Sequence, residues 1–493
     1  MSHVRAAAAP TRPRSPSDPA SARDATRYLC VAAQMDAQFN SKLIKGIVHN
    51  ERRAIPTSPG IDLVPVLKYG LAARQRQILR DVGLAFLFVV FLLTPGAGSL
   101  VTVLLLAWLV MYAERLWTHY HVLARELRRD VFDPDKAPVP EDSWLVKRLE
   151  EIKERGRGNV TVFPQYQPFI GYGKAFQTWS LSLNVAAAEE GEEAEPFEVQ
   201  ELYSAVAKAV GAIGLPGATT EDRLFVSGND LLHHIEPGSV RKAVLPSELR
   251  APAADVPDDV VQQLRSDPHT RARPYLTICV PGWGGEVVMT VFLRFTLLPQ
   301  RDLLFIEASY SLLAPVREQY RSVDRLLSQP TPRQVLKNAP NIFSTAGAVL
   351  LSIPRLLSAA GSAIGRAGQQ RDEKRAIEDD RSFNYGSEIC PREAASDHKY
   401  YRYFQQLDSE MYRGLIERRL LDALTDFLRE HNVDVSDLKE QRKTILNNGI
   451  YVTGKGSLSA GSIAAGTNAL SLHIDRIKSG TSQQSASDGP AAS

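Results

Sequence analysis

Cysteine is scarce in this chain. Three occur in 493 residues (Cys30, Cys279 and Cys390), far apart and without a CxxC pair. So small and scattered a set supports neither a disulfide framework nor a zinc site, and reads as buried thiols in a reducing compartment. Excess charge of one sign is missing as well. Lys and Arg number 58 against 56 Asp and Glu, a formal net charge of +2, so no global field recruits nucleic acid, and none is expected as a partner. Catalytic signatures are also missing: there is no GxSxG elbow, HExxH helix or kinase set. TGKGS at 453–457 lacks the spacing of a phosphate loop, and GYGKAF and GWGGE lack GxGxxG with its strand–loop–helix setting. All three read as turns. His119 and His121 sit two apart on a helix, about 200° around its axis, and cannot share an ion. His233 and His234 are adjacent, with no acidic or cysteine partner at ligand spacing. Glu307 and Asp324 stand alone in the sequence. No catalytic residue, cofactor or metal is therefore assigned.

What the sequence does have is one long uncharged run. From Val82 to Ala113 no Asp, Glu, Lys or Arg occurs, and a Pro-Gly turn interrupts it at TPGAG. Ten Leu, Phe and Val residues fill Val82–Leu93, and eight fill Leu100–Val110. A single straight helix of that length would run nearly 50 Å, against a hydrocarbon core of about 30 Å. Pro95 removes an amide donor, and Gly96 and Gly98 permit the angles of a reversal. Two antiparallel helices over 78–117, turning at Pro95, Gly96 and Gly98, fit better. Each uncharged arm is only about 18–24 Å long, so the hairpin spans a thin bilayer or stops partway as a re-entrant wedge, with Arg80 and Arg115 snorkelling at its base. Trp108, Tyr112 and Trp117 suit the membrane interface. Lys68, Arg74, Arg76 and Arg80 precede the first arm; Arg115, Arg125, Arg128 and Arg129 follow the second; the tip has no charge. By the positive-inside tendency both flanks, and both termini, belong on the cytoplasmic side.

Around the hairpin the pattern changes. Residues 1–26 are rich in Ala, Pro, Ser and Arg and read as a disordered arm lacking the apolar core of a secretory signal; 475–493 read as a disordered tail. Residues 27–77 have helical apolar spacing, with a second helix from about Ile61 running into the first arm. From 118 to 330 the chain reads as a cytoplasmic α+β domain. Strands are expected in NVTVFPQYQPF, AFQTWSLSLNV and DRLFVSG, with a short helix at NDLLHHI. An antiparallel meander follows in PYLTICVPGWGGEVVMTVFLRFTLLPQRDLLFIEASYSLLAPV, its central strand apolar on both faces. Residues 331–385 combine an amphipathic segment, lying on the bilayer or packed on the α+β domain, with a charged linker. Residues 386–447 hold amphipathic helices, the longest from about His398 to Glu430, whose apolar stripe either covers its own core or pairs with a partner helix. Residues 448–474, rich in Gly, Ser and Asn, read as minimal strands able to stack on copies of themselves, or as a flexible tail.

RYLCVAAQMDAQFNSKLI, GIDLVPVLKYGL, VFLRFTLLPQRDLLFIEASYSLLAPVREQYRSVDRL and ILNNGIYVTGKGSLSAGSIAAGTNA resemble an actinobacterial family of uncharacterised two-pass membrane proteins. The resemblance implies the hairpin topology and brings no activity or site residues. The expectation is a bacterial inner-membrane protein, two-pass or re-entrant. It would be a non-catalytic scaffold or signalling component whose partners are the lipid bilayer and copies of itself, met through the C-terminal helix and Gly-rich segment. The alternative is a membrane-tethered enzyme acting on a lipid or nucleotide, with its site in the α+β domain.

Overall fold

The computed structural model describes residues 19–447, apart from 190, 299–301, 327–330, 332–334, 337, 380 and 398. Helices α1 (Pro19–Met35) and α2 (Ala37–Leu43) pack beneath the long helix α3 (Leu63–Leu93). Asp36 caps α2 by accepting from the amides of Gln38 and Phe39, and Asp62 caps α3 at Val64. Helix α4 (Ala97–Leu116) continues through a π-helical turn to Leu123. After α5 (Ser143–Arg155) come β1 (Val160–Phe163), β2 (Lys174–Asn184), α6 (Val199–Gly211) and β3 (Thr219–Ser227). Helices α7 (Gly238–Val244) and α8 (Asp258–Arg265) lead into β4 (Arg273–Gly282), β5 (Val287–Leu298) and β6 (Leu303–Leu313). Then follow α9 (Glu318–Arg321), α10 (Ile342–Leu350), α11 (Ser352–Glu378), α12 (Pro391–Ala395), α13 (Tyr403–Glu430) and α14 (Ser436–Asn447).

The fold is α+β, with a mixed six-stranded sheet in the order β1-β3-β4-β5-β6-β2. β4, β5 and β6 form the antiparallel meander, with Ile278 opposite Val291 and Val291 opposite Tyr310. β5 is buried on both faces over Val287–Thr296, as its lack of polar alternation requires. β1 pairs parallel to β3, and β2 closes the opposite edge against β6. On one face, Leu276, Ile278, Val291, Leu293 and Ile306 meet α6 and the C-terminal half of α13, so the C-terminal helices share the sheet's main core. The other face is more polar. Thr277, Thr290 and Ser311 lie fully buried there, and the rings of Phe169, Tyr172, Phe225, Tyr275 and Phe292 pack together. A separate core joins α1, α2, the lower part of α3, the π-helical turn, α5 and α9.

Several local expectations are corrected. The first expected strand stops at Phe163, because Pro164 and Pro168 cannot donate to a ladder. NDLLHHI forms turns instead of a helix, with the Asp230 carbonyl accepting from the amides of His233 and His234. QQRDEKRAIEDDR is largely the end of α11, not a linker: Arg52 pairs with Glu373 at 3.0 Å, and Ile377 is buried under Phe383 and Tyr385. The amphipathic segment packs on the hairpin arms, not on the sheet.

Candidate membrane-contact surface

Helix α3 has two parts. Its first turns bury Leu63, Val66, Leu67, Tyr69 and Ala73 among α1 and α2. Above them, Leu79, Val82, Phe86, Val89, Leu92 and Leu93 are exposed, Leu93 by 77%. On α4, Val101, Leu105 and Leu109 are exposed too, and only Val103, Ala107 and Met111 are buried. The hydroxyls of Thr94, Ser99 and Thr102 bond back to the carbonyls of Val90, Gly96 and Gly98, and no charge occurs between Asp81 and Glu114. Of the described helices, Ala97–Leu123 is long and apolar enough to cross a membrane. The first arm falls short, because Arg76, Arg80 and Asp81 occupy its last eighteen residues.

Those charges form the floor of the apolar region. Arg80 pairs with Asp81 at 2.8 Å and faces Glu114 on the other arm at 3.7 Å. Arg80, expected to snorkel, is thus held in an ion pair, which lowers the cost of charge beside an apolar surface. Arg115 lies next to Glu114 at the same level of the second arm. The chain reverses over Thr94–Gly96, and Pro95, Gly96 and Gly98 are all exposed. The glycines are not needed for their angles. Gly96 is extended (φ 171°, ψ 158°), and Gly98 already belongs to α4.

A broken helix lies against both arms. α10 and the first part of α11 meet at a 45° bend, and together they are also apolar enough for a membrane segment. The break has a local cause: Pro354 has no amide to offer the carbonyl of Leu350, and the Ser352 hydroxyl bonds back to Val349 at 2.6 Å. Ala348 and Val349 pack with Leu84, Ala107 and Met111, while Phe343, Leu350 and Leu357 face outward. The approach to this helix fixes two of the three aromatic residues singled out in the sequence. Trp108 donates its indole N–H to the carbonyl of Pro340 at 2.9 Å, and Tyr112 donates to that of Val335 at 3.0 Å. Their rings stack 4.9 Å apart, half-buried. Trp117 is half exposed below, stacked on His121. Sequence periodicity could not show this docking, because Pro340 and Trp108 are separated by 232 residues.

The other candidates for chemistry resolve into structure. His119 Nδ1 lies 3.0 Å from the carbonyl of Arg115, and His233 Nε2 lies 2.9 Å from that of Arg381. Among the described residues no group of three or more His, Cys, Asp and Glu is placed to hold a metal ion. The carboxylates that looked solitary are paired: Glu307 with Arg294 at 3.2 Å, Asp324 with Arg27 at 2.6 Å. GYGKAF is a turn whose Gly171 and Gly173 amides both donate to Glu393, each at 2.8 Å. Gly171 is required there on two counts: its φ is positive, and an added Cβ would collide with the carbonyl of Thr57. GWGGE is likewise a tight turn, and TGKGS lies outside the described residues. Burial pushes the thiols of Cys279 and Cys390 up to about 12, which makes them inert.

Two features gave no signal in the sequence. Arg392 is fully buried among backbone carbonyls, donating to Gly285 and Glu286, and burial lowers its pKa to about 10. Arg148 is buried the same way, tying the carbonyls of Ile47, Val48 and Asn50 at the end of the α2 turn. Both arginines satisfy orphan carbonyls at the ends of elements distant in sequence. Hollows of about 600 and 500 Å³ lie away from the meander. One is lined by Arg53, Gln369, Asp372, Glu373 and Phe383, the other by Arg128, Arg129, Asp130 and Asp324.

A family profile described as an AbeC-like domain matches residues 178–462, more than half of the chain. The match takes in β2 from Thr178, the meander, the broken helix and the C-terminal helices, and leaves out the hairpin. No curated protein and no solved structure matches.

Proposed function

This chain belongs to the AbeC-like domain family, and from that premise we propose that it holds such a domain at a bacterial inner membrane, as a non-catalytic scaffold or signalling component. The anchor is the hairpin α3–α4 with the broken helix α10–α11 laid against it. One observation carries the reading: the exposed surface of these arms is apolar and uncharged above Asp81 and Glu114, where Arg80 bridges the two. A water-facing helix needs a charged or strongly polar side; these arms have only a few hydroxyls bonded back to their own backbone, so lipid is the solvent that suits them.

Length then favours partial insertion over two complete crossings. The uncharged part of α3 measures about 18 Å and that of α4 about 25 Å, against a hydrocarbon core of about 30 Å. The wedge enters from one side, the Arg80–Asp81–Glu114 cluster rests at headgroup level, and the arginines below it keep that side cytoplasmic. The sheet and both termini then lie on the same side as the charges.

The test is flotation of the full chain with vesicles of neutral and anionic phospholipid, together with a carbonate wash of expressing membranes. Co-flotation and retention in the pellet are expected. A cysteine placed at Ser99 should resist a membrane-impermeant maleimide from either side of the vesicle. Complete recovery in the carbonate supernatant overturns the anchor; labelling from the far side replaces the wedge with a full span.

A further inference from the structure

The two edges of the sheet are finished differently. β1 is four residues long, and its outer side is occupied: the Val160 amide donates to the Ala254 carbonyl at 2.9 Å, and the Val162 carbonyl accepts from the Ser387 amide at 3.0 Å. β2, at the other end, is eleven residues long. Just past it, the Val185 amide donates to the carbonyl of Asp302, which continues the β2–β6 register by one step. Hydrogen-bonded pairs alternate along an antiparallel ladder. Gln177, Trp179, Leu181 and Leu183 therefore turn their N–H and C=O groups to β6, and Thr178, Ser180 and Ser182 turn theirs away. Among the described residues, nothing meets those outward donors and acceptors.

Sheet edges in native proteins are commonly protected by charge, proline, brevity or cover. From Ala175 to Asn184, β2 has neither charge nor proline, and its one bulge, at Phe176, lies at the start. The side chains of Thr178, Ser180 and Ser182 are exposed. Thr178 Oγ1 lies 3.2 Å from Ser309 Oγ, so the hydroxyls of the sheet's polar face continue to its rim. A long, uncharged edge of this kind is a template for another strand.

We propose that the strand it accepts is β2 of a second copy of this chain, added antiparallel about a twofold axis at Ser180. The sequence is self-complementary in that arrangement. Ser180 faces its own mate and Thr178 faces Ser182 of the second copy, so hydroxyl meets hydroxyl on one face. On the other face Trp179 meets Leu181 of the second copy, apolar against apolar. Three facing pairs exchanging two bonds each supply about six interchain hydrogen bonds and join two sheets into one. Like charges, which would oppose such self-pairing, are missing. Lys174, the one charge in the strand, falls opposite Ala186 of the second copy, just ahead of the acidic run 189–193. The membrane reading plays no part here, because β2 and the hairpin share no residue.

The experiment uses the full chain in mild detergent. Light scattering should give two chains per particle, and one chain at every soluble concentration overturns the proposal. Ser180→Pro removes an outward amide that the β6 ladder does not use, so it should raise the dissociation constant of the dimer at least about tenfold. Ser180→Lys sets two like charges face to face and should weaken the dimer in the same direction, less so at high salt. It keeps the amide and an exposed site, so it serves if the proline variant unfolds by circular dichroism. Ser180→Val, which keeps the edge intact, should remain dimeric. Ser180→Cys should form an interchain disulfide under mild oxidation, since residues in a hydrogen-bonded pair lie about 5.5 Å apart at Cα. Lys174→Cys should not, because its mate lies at the far end of the second strand. The three native thiols are withdrawn by burial and add little background. A dimer unaffected by Ser180→Pro and Ser180→Lys overturns the proposal, as does disulfide formation as fast at 174 as at 180.

Discussion

The two longest described helices, α3 and α13, divide themselves alike: one half has its apolar side chains sealed in a core, and the other half leaves them exposed. They differ in how apolar residues are distributed around the exposed half. On α3, Leu79, Val82, Phe86, Val89 and Leu93 share an arc of about 80°, but every residue from Val82 to Leu93 is apolar or glycine, so the flanks of that arc are apolar as well. On α13, Phe404, Leu407, Met411 and Leu415 make a single line beside Asp408, Glu410 and Arg413. An exposed surface that is apolar all round suits a fluid that surrounds it; a single line suits one strip of protein. Circumference, not apolar content, separates the two kinds of contact.

The sharpest way to break that distinction is to add charge to each helix in turn. A carboxylate at the centre of a membrane helix costs about 2.5–3.5 kcal/mol on an insertion scale. Phe86→Asp with Leu93→Asp should therefore cut vesicle partitioning by roughly 10⁴-fold, reading two such costs together. Leu407→Asp with Met411→Asp should leave flotation unchanged. If the α13 pair also abolishes flotation, both tracks face lipid and the contrast fails.

Next in size is the contrast within α13. Leu424 is fully buried against the sheet, whereas Met411 is half exposed. Leu424→Ala should destabilise the domain by about 3 kcal/mol through lost burial and a residual cavity. Met411→Ala should cost under about 1 kcal/mol, since little packing is lost at a half-exposed site. Urea unfolding followed by tryptophan fluorescence measures both.

A smaller effect lies in the body beneath the hairpin. Burial pushes the Asp324 carboxyl up, but the hydrogen bonds from Arg27 and Tyr28, helped by the Arg27 charge, outweigh it and leave its pKa below the ordinary carboxylate value. A folded pKa depressed in this way contributes stability that is full above the unfolded value of about 3.9 and is lost as pH falls through the folded one. Asp324→Asn should cost about 1 kcal/mol near neutral pH, a figure kept low because the Asp324 side chain is 35% exposed. The difference from the parent should shrink below about pH 4. Unfolding curves at pH 7, 5 and 3.5 read it directly. A gap that widens in acid would mean that Asp324 is not held by Arg27.

Local pattern made much of this legible. The meander, the start of the helix leading into the first arm, and the apolar run followed from alternation, capping residues and the absence of charge, all properties of neighbours in the chain. What stayed hidden depended on distant partners. Nothing near Trp108 announces Pro340, and nothing near Arg392 announces the carbonyls of Gly285 and Glu286. The break at Leu351 was half visible, because Pro354 could be read while its docking on Leu84 and Ala107 could not. The parallel pairing of β1 with β3 is a similar case: it joins Val160 to Leu224, 64 residues apart, through no sequence signal of its own.

The tip of the hairpin supplies the smallest and most discriminating effect. Pro95-Gly96-Ala97-Gly98 invites the view that glycine is required for the reversal. The geometry says otherwise: Gly96 is extended, a Cβ added there would meet Ser99 Oγ at an ordinary 3.8 Å, and one added at Gly98 would meet nothing within 4 Å. Gly98 sits in the first turn of α4, where alanine is the better helix former, by less than about 1 kcal/mol. Gly96→Ala with Gly98→Ala should thus leave both unfolding and vesicle flotation within about 0.5 kcal/mol of the parent. A loss of flotation with stability intact would mean that the tip must approach another surface more closely than a methyl group allows. The anchor would then be a docked hairpin with a partner at its end, not a wedge whose only neighbour is lipid.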